Sequence, residues 1–124
     1  MSPTRFRAGS ALWRWSFWLC FGFATAMALV PKPPRLPTQD FGDKFEHMLA
    51  FAVLATLAQL AFPTASRLRI GLWFCLFGAA IEVAQAIPAL HRDSDVRDWL
   101  ADTAVLVPVL GVPALLQRRQ AARR

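Results

Sequence analysis

The sequence has few cysteines, and their positions limit what they can do. Its 124 residues include two cysteines, Cys20 and Cys75, which lie in apolar segments and form no CxxC motif. A disulfide framework or a structural zinc site needs more cysteines or a paired spacing, so neither is indicated. We expect both thiols to behave as small hydrophobic groups.

Charge is absent from four long segments. No Asp, Glu, Lys or Arg occurs in residues 15–30, 48–66, 70–81 or 103–117. The small core of a water-soluble domain alternates apolar and polar positions, so these runs argue against an ordinary soluble fold. A membrane-spanning helix needs roughly 20 largely apolar residues. Extended to their interfacial flanks, the runs predict four spans, near 13–31, 44–63, 69–88 and 98–117.

These spans predict an all-α fold. Every backbone N–H and C=O in hydrocarbon needs an internal partner, which favours helices. We therefore expect a polytopic membrane protein, a bundle of four transmembrane helices forming one domain over residues 1–124. Residues 31–42, PKPPRLPTQDFG, are interpreted as a stiff proline-rich connector.

Negative charge is missing from one side of this predicted bundle. Positive residues mark the cytoplasmic side of a membrane protein. Nine of them flank one set of span ends, namely Arg5, Arg7, Arg14, Arg67, Arg69, Arg118, Arg119, Arg123 and Arg124. Both termini are therefore predicted to be cytoplasmic. All eight acidic residues and both histidines map to the outer side. The pI near 11.0 is thus a sign of topology, and no nucleic-acid partner is expected because the basic clusters lack interleaved aromatic residues.

The first span allows a second interpretation. A basic start, an apolar middle and small residues at 24, 26 and 28 also suit a cleavable secretory signal. The length of the apolar run and the tryptophans at 13, 15 and 18, typical of an interfacial belt, favour a retained helix. Cleavage would leave three spans without moving the outward-facing residues.

Polar residues cluster where the predicted spans reach the outer side. Residues three or four apart share a helix face, and three pairs have this spacing: Asp43 with His47, Glu82 with Gln85, and Asp98 with Asp102. All three lie within about two turns of the outer boundary, which predicts one cluster at a common level.

Glu82 is the most informative of these residues. It lies about 9 Å below Pro88 along a helix, where a charge is costly unless it faces the bundle interior and has a partner. His47, Lys44 and Arg92 are the candidate partners.

Structural interpretations stay open for the same residues. Asp43, Glu46 and Asp98 suit the N-terminal ends of helices, where the helix dipole favours acids. His47 also suits a buried structural histidine, and Gln85 an interhelical hydrogen-bond donor. Asp93, Asp95 and Arg97 suit a solvated loop.

Two segments, DKFEHMLAFAVL and GAAIEVAQAIPALHRDSDVRDWLADTAVLVPVLG, resemble the motifs of the VanZ-like membrane protein family, named for a teicoplanin-resistance factor of bacteria. The resemblance covers about residues 40–111, with three blocks in the family's order. The matched positions are Asp43, Lys44, His47, Glu82, Gln85, Arg92 and Asp98, with Gly111 as the candidate for a later family glycine. Asp102 stands where family members have Asn, which adds a negative charge.

The resemblance implies a multi-pass protein of the bacterial inner membrane linked to the cell envelope and to glycopeptide (teicoplanin) resistance. Two classes of function remain open. The first is an envelope accessory protein that binds the head group of a membrane lipid or of a polyprenyl-phosphate-linked precursor. In this class Lys44 and Arg92 meet the phosphate, and Gln85 and Asp102 add further ligand contacts.

The second class is a small intramembrane enzyme acting on such a precursor. His47 would be the general acid or base, oriented by Asp43 or Asp98, and Glu82 a second proton-transfer group. The carboxylates and imidazole would also suit Mg, Mn or Zn, although their spacing selects no metal or other cofactor. No Ser or Cys nucleophile accompanies His47, which argues against acyl transfer. A transporter is a third option and would need an oligomer to enclose a path.

Overall fold

The computed structural model describes residues 6–30, 43–88 and 96–124, and these form four α-helices and no strand. The helices are α1 (Ala11–Leu29), α2 (Asp43–Ala61), α3 (Arg67–Gln85) and α4 (Val96–Ala122). The predicted all-α class is therefore confirmed for the described part of the chain. Each predicted span overlaps one helix, and α4 continues past the predicted end at 117 through the terminal basic segment.

Two of the described helical segments are long and apolar enough to cross a membrane, Arg67–Gln85 and Trp99–Ala122. The apolar part of α2, Phe45–Ala61, is shorter, and α1 carries Arg14 in its first turn. Length and composition therefore suggest membrane association through α3 and α4. The four-span arrangement is taken up below as a proposal.

Contacts between helix ends define an up-down-up-down bundle. Gly9, just before α1, has a φ of 83°, which L-residues with a side chain rarely adopt. Its N–H donates to the carbonyl of Leu60 near the end of α2, at 2.7 Å. The start of α1 therefore meets the end of α2, and the two helices are antiparallel.

The other two pairings follow from contacts along α3. A Cβ built on Gly71 would lie 3.2 Å from Leu110, and one built on Gly78 would lie 3.1 Å from Trp99. Later residues of α3 therefore contact earlier residues of α4, so these two helices are antiparallel. Near the far ends of α1 and α3, the side chain of Gln85 donates to the carbonyl of Ala28 at 2.9 Å. We call this end the His47 end and the opposite end, which carries Arg14, the α2–α3 connection and the end of α4, the arginine end.

The bundle core is apolar and contains several small side chains on α2. Its buried residues are Phe17, Phe51, Leu54, Ala55, Ala58, Ala61, Ile70, Phe74 and Leu106. Small residues allow helix backbones to approach closely, which is typical of helix packing in membranes. Aromatic rings fill the space beside them, with Phe17 and Phe62 in edge contact at a centroid distance of 5.5 Å.

Large apolar side chains also cover the outside of the bundle. Exposed examples occur on all four helices and include Leu19, Val53, Leu72, Trp73, Val83 and Val107. Single exposed apolar residues are normal in soluble proteins, but extended apolar surfaces mark contact with a partner or with lipid. The apolar exterior of the bundle, like the apolar composition of α3 and α4, therefore suggests contact with lipid or with a partner.

A polar contact compensates for a proline within α4. Pro113 lies inside the helix and has no N–H, so the carbonyl four residues earlier, that of Val109, loses its usual helical donor. The side-chain Nε2 of Gln59 on α2 donates to this carbonyl at 3.2 Å. Gln59 Oε1 in turn accepts from Arg67 Nε at 3.4 Å. Gln59 therefore joins α2, the start of α3 and α4 near the arginine end.

Candidate functional site

Three helices meet at Gly78, which provides a reference level for the polar residues. A Cβ on this glycine would lie 3.1 Å from Phe51 Cζ of α2 and 3.1 Å from Trp99 Cδ1 of α4. The indole Nε1 of Trp99 also donates to the carbonyl of Cys75 at 3.0 Å. The packing therefore fixes α2, α3 and α4 against one another about one turn below the predicted site.

The predicted site positions continue the buried faces of these helices. His47 precedes the buried Phe51 by four residues, and Glu82 follows the buried Gly78 by four. Because residues four apart lie on one face, positions 47 and 82 share the faces that the bundle buries. Position 98 precedes the buried Asp102 by four residues on α4.

The helical rise gives the depth of each position. From the Gly78 level, His47 and Glu82 lie about 6 Å toward the His47 end, and position 98 about 1.5 Å. Gln85 lies about 10 Å toward that end, whereas Asp102 lies about 4.5 Å in the opposite direction. By this rise positions 47 and 82 share one depth, whereas position 98 lies about 4.5 Å deeper and Asp102 about 10.5 Å deeper. The convergence of His47, Glu82 and Asp98 at one level stays a prediction.

Gln85 and Asp102 are the buried polar residues of the described part of the chain, with 1% and 4% of their surfaces exposed. Gln85 is the interhelical donor considered from the sequence, since its Nε2 binds the carbonyl of Ala28 on α1. This bond fixes the amide orientation and turns Oε1 the other way, where no described group donates to it. A buried amide oxygen in this condition is costly unless a donor reaches it.

Asp102 is more buried than Glu82, although the sequence drew attention to Glu82. Glu82 is half-buried, as are His47 and Glu46. Glu82, Glu46 and Asp102 all make polar or electrostatic interactions. Glu46, expected at a solvated helix start, lies in the first turn of α2 and is in line with the exposed Leu49 and Val53. Among the described carboxylates the most buried is therefore that of Asp102, the position at which the sequence departs from the motifs that it resembles.

Other predicted site residues lie outside the described residues. Arg92 falls in 89–95, and the side chains of Asp43, Lys44 and Asp98 are also outside, although their backbones belong to α2 and α4. Among the described residues, no three His, Cys, Asp or Glu side chains come close enough to hold a metal ion. The metal hypothesis also involves Asp43 and Asp98, so it remains a hypothesis.

The sequence did not identify Trp99 or Gly78, which position the site without being charged. Gly78 could have been identified from the sequence, because it lies four residues before Glu82 on the same helix face and a glycine there permits close helix contact. By contrast, a Cβ on Gly111, the candidate family glycine, would meet no described atom within 4 Å. Close packing therefore gives no reason for a glycine at 111.

Comparison with protein-family models, curated proteins and solved structures gives no match for this chain. The proposed family relation therefore depends on the motif resemblance described above.

Proposed function

We propose that this chain is a VanZ-like, four-span protein of the bacterial inner membrane that binds the head group of an envelope lipid or lipid-linked precursor at the His47 end. The observation that carries the proposal is a pair of buried polar side chains, Gln85 at this end and Asp102 near the middle of the bundle. Both are almost completely buried, whereas the other buried residues of the described part of the chain are apolar, and His47 and Glu82 lie between the two along the bundle.

The membrane location is supported by the exterior of the bundle. All four helices expose large apolar side chains, which lipid would cover. Three hydroxyl groups within the helices are satisfied by their own backbone, since Ser16, Thr25 and Thr56 each donate to the carbonyl four residues earlier at 2.8 Å. This pairing suits a helix surface without water.

The orientation is supported by the separation of charge. The arginine end carries Arg14, Arg67, Arg69 and the basic end of α4, whereas Glu46 and Glu82 lie toward the opposite end and Asp102 near the middle of the bundle. The positive-inside rule then assigns the arginine end to the cytoplasm and the His47 end to the periplasm. Both termini are cytoplasmic in this arrangement, and the polar cluster opens toward the outer leaflet.

The chemistry of the cluster suits a phosphorylated, hydroxyl-bearing head group. Lys44 and Arg92 supply positive charge for the phosphate in this proposal. The carboxylate of Asp102 and Oε1 of Gln85 are acceptors, and they suit hydroxyl or amide donors of the same head group. Glu82 and His47 lie between Gln85 and Asp102 along the bundle and hold the ligand in register.

Mass spectrometry of lipids that co-purify with the full chain in mild detergent tests this function. A phosphorylated polyprenyl lipid or precursor should be retained by the wild type and lost from Asp102→Leu and His47→Ala. Retention of the same bulk lipids by all three proteins would contradict the head-group site.

A second candidate function is the small intramembrane enzyme, favoured by the equal depth of His47 and Glu82. Two proton-transfer groups at one level could act on a ligand held between them. Incubation of the purified chain with the retained lipid distinguishes the two functions. Product formation that His47→Ala abolishes would establish catalysis, whereas unchanged lipid would leave binding as the function.

A further inference from the structure

We propose a second lipid site, at the arginine end, that holds one diacyl anionic phospholipid of the cytoplasmic leaflet in two apolar grooves on either side of Trp73. This inference depends on the proposed membrane location but not on the head-group site at the His47 end.

The larger groove lies between α1 and α3 beside the end of α2. It has a volume of about 620 Å³ and is lined mainly by aromatic and small side chains, among them Phe17, Phe21, Phe62, Phe77 and Ala80. Sites of roughly 300–1,000 Å³ commonly take small molecules. A groove with this lining, open on the outside of the bundle, suits a hydrocarbon chain.

The smaller groove lies on the other side of α3. It has a volume of about 320 Å³, and Ser66, Leu68 and Leu72 belong to its lining. Arg69, Trp73 and Leu76 line both grooves. Trp73, with 68% of its surface exposed, therefore forms a ridge between two apolar channels that come together at Arg69.

Arg69 determines the class of head group. Its guanidinium makes no hydrogen bond or ion pair with a described residue, whereas the nearby Arg67 is bound to Gln59. No acidic residue lies in the first turn of α3, and the side chain of Ser66 caps the helix by accepting from Arg69 N at 3.1 Å. The guanidinium, the positive end of the helix dipole and the absence of nearby acids favour a phosphate.

Two chains and one phosphate are the composition of a phospholipid. A molecule that places one acyl chain on each side of Trp73 brings its phosphate to Arg69 at the membrane surface. An anionic lipid gains further from the neighbouring basic residues, because each arginine near the surface attracts negative lipid. A fatty acid would fill one groove and leave the other open, so the shared lining favours a diacyl lipid.

Native mass spectrometry of the purified full chain with equal amounts of phosphatidylglycerol and phosphatidylcholine of identical chains tests the site. We expect one phosphatidylglycerol to bind preferentially. Arg69→Gln should lower the preference about fivefold, the factor that about 1 kcal/mol per charge corresponds to. Ala80→Phe fills the larger groove, so it should abolish binding of either lipid at this site and with it the preference for phosphatidylglycerol.

Matched controls separate this site from bulk lipid and from the other end. Arg97→Gln removes a charge at the opposite, His47 end of the bundle, and Ala104→Phe adds a ring to an exposed position of α4 outside both linings. Both should bind as the wild type does. Equal binding of the two lipids by the wild type, or the same loss in Ala104→Phe and Ala80→Phe, would overturn the proposal. Loss in Arg97→Gln would assign the lipid to the His47 end instead.

Discussion

Replacement of Gln59 by leucine should lower the free energy of unfolding, because a backbone carbonyl of α4 loses its hydrogen-bond donor. Gln59 Nε2 donates to Val109 O at 3.2 Å, and this carbonyl has no helical donor because residue 113 is proline. Leucine has a similar size and no donor. The substitution therefore leaves the Val109 carbonyl without the side chain that compensates for Pro113.

The expected loss follows from two known scales. Interhelical hydrogen bonds in membrane proteins contribute about 0.6 kcal/mol on average and about 1.7 kcal/mol at most. A buried acceptor left without a donor costs about 1–3 kcal/mol. Gln59 is half-buried, so we expect Gln59→Leu to lower the free energy of unfolding by about 1–2 kcal/mol.

A double-mutant cycle isolates the contribution of the Val109 carbonyl. In Pro113→Ala, residue 113 regains an N–H that can bind Val109, so Gln59→Leu should cost less there, with a coupling of about 0.6–1.7 kcal/mol. The loss of the Arg67 contact to Gln59 is common to both backgrounds and cancels. Reversible unfolding of the full chain in detergent by added SDS, followed by tryptophan fluorescence, gives the four free energies.

Pro108→Ala is the matched control for this cycle. Pro108 also lies inside α4, but the carbonyl that it leaves without a donor is that of residue 104, which Gln59 does not contact. Its coupling to Gln59→Leu should be close to zero. Additive effects of Gln59→Leu and Pro113→Ala, within about 0.3 kcal/mol, would refute the compensation.

Three further outcomes follow from the same structure. Gly78→Ala should destabilise the bundle by about 1–3 kcal/mol, because the new Cβ would lie 3.1 Å from two side chains. Gly22→Ala is the control, since no described atom lies within 4 Å of that position, and it should be neutral or slightly stabilising in the same unfolding assay. Gly9→Ala should cost about 1–2 kcal/mol because φ is 83° there, and D-alanine introduced by semisynthesis should restore stability if the backbone conformation is the cause. In intact cells, single cysteines in a cysteine-free background should react with an impermeant reagent at positions 36 and 94 and stay unlabelled at 66 and 121, and labelling at 66 would reverse the orientation.

The helices could be predicted from the sequence because their signals are local. Charge-free runs and basic flanks are visible residue by residue, and each of the four predicted spans overlaps a helix. The helix that contains the fourth predicted span is longer than the span, because an apolar run indicates where lipid ends, whereas α4 continues through Arg118 and Arg119.

The arrangement of the site was only partly predictable. Spacing placed residues on one face of each helix, and the register of α2, α3 and α4 at Gly78 then gives positions 47 and 82 similar depths, with position 98 about 4.5 Å deeper. The deeper position of Asp102 depends on how α4 is set against α3, which Trp99 and Gly78 determine by contact. The pairing of Gln59 with the carbonyl exposed by Pro113 joins residues far apart in sequence and has no local signal.

The most direct test of the head-group site compares two glutamates at the same end of the bundle. Glu82 continues the buried face of α3, and Glu46 lies beside the buried face of α2. Each is changed to glutamine, which keeps shape and hydrogen bonding while removing the charge, and the phosphorylated lipid retained by each purified protein is quantified by mass spectrometry.

Glu82→Gln should lower this retention about fivefold, since a hydrogen bond to a charged group contributes about 1 kcal/mol more than the neutral bond that glutamine keeps, while thermal stability in detergent is maintained. Glu46→Gln should retain as much lipid as the wild type. Equal, small effects of both substitutions on lipid retention would contradict a site built on Glu82 and His47.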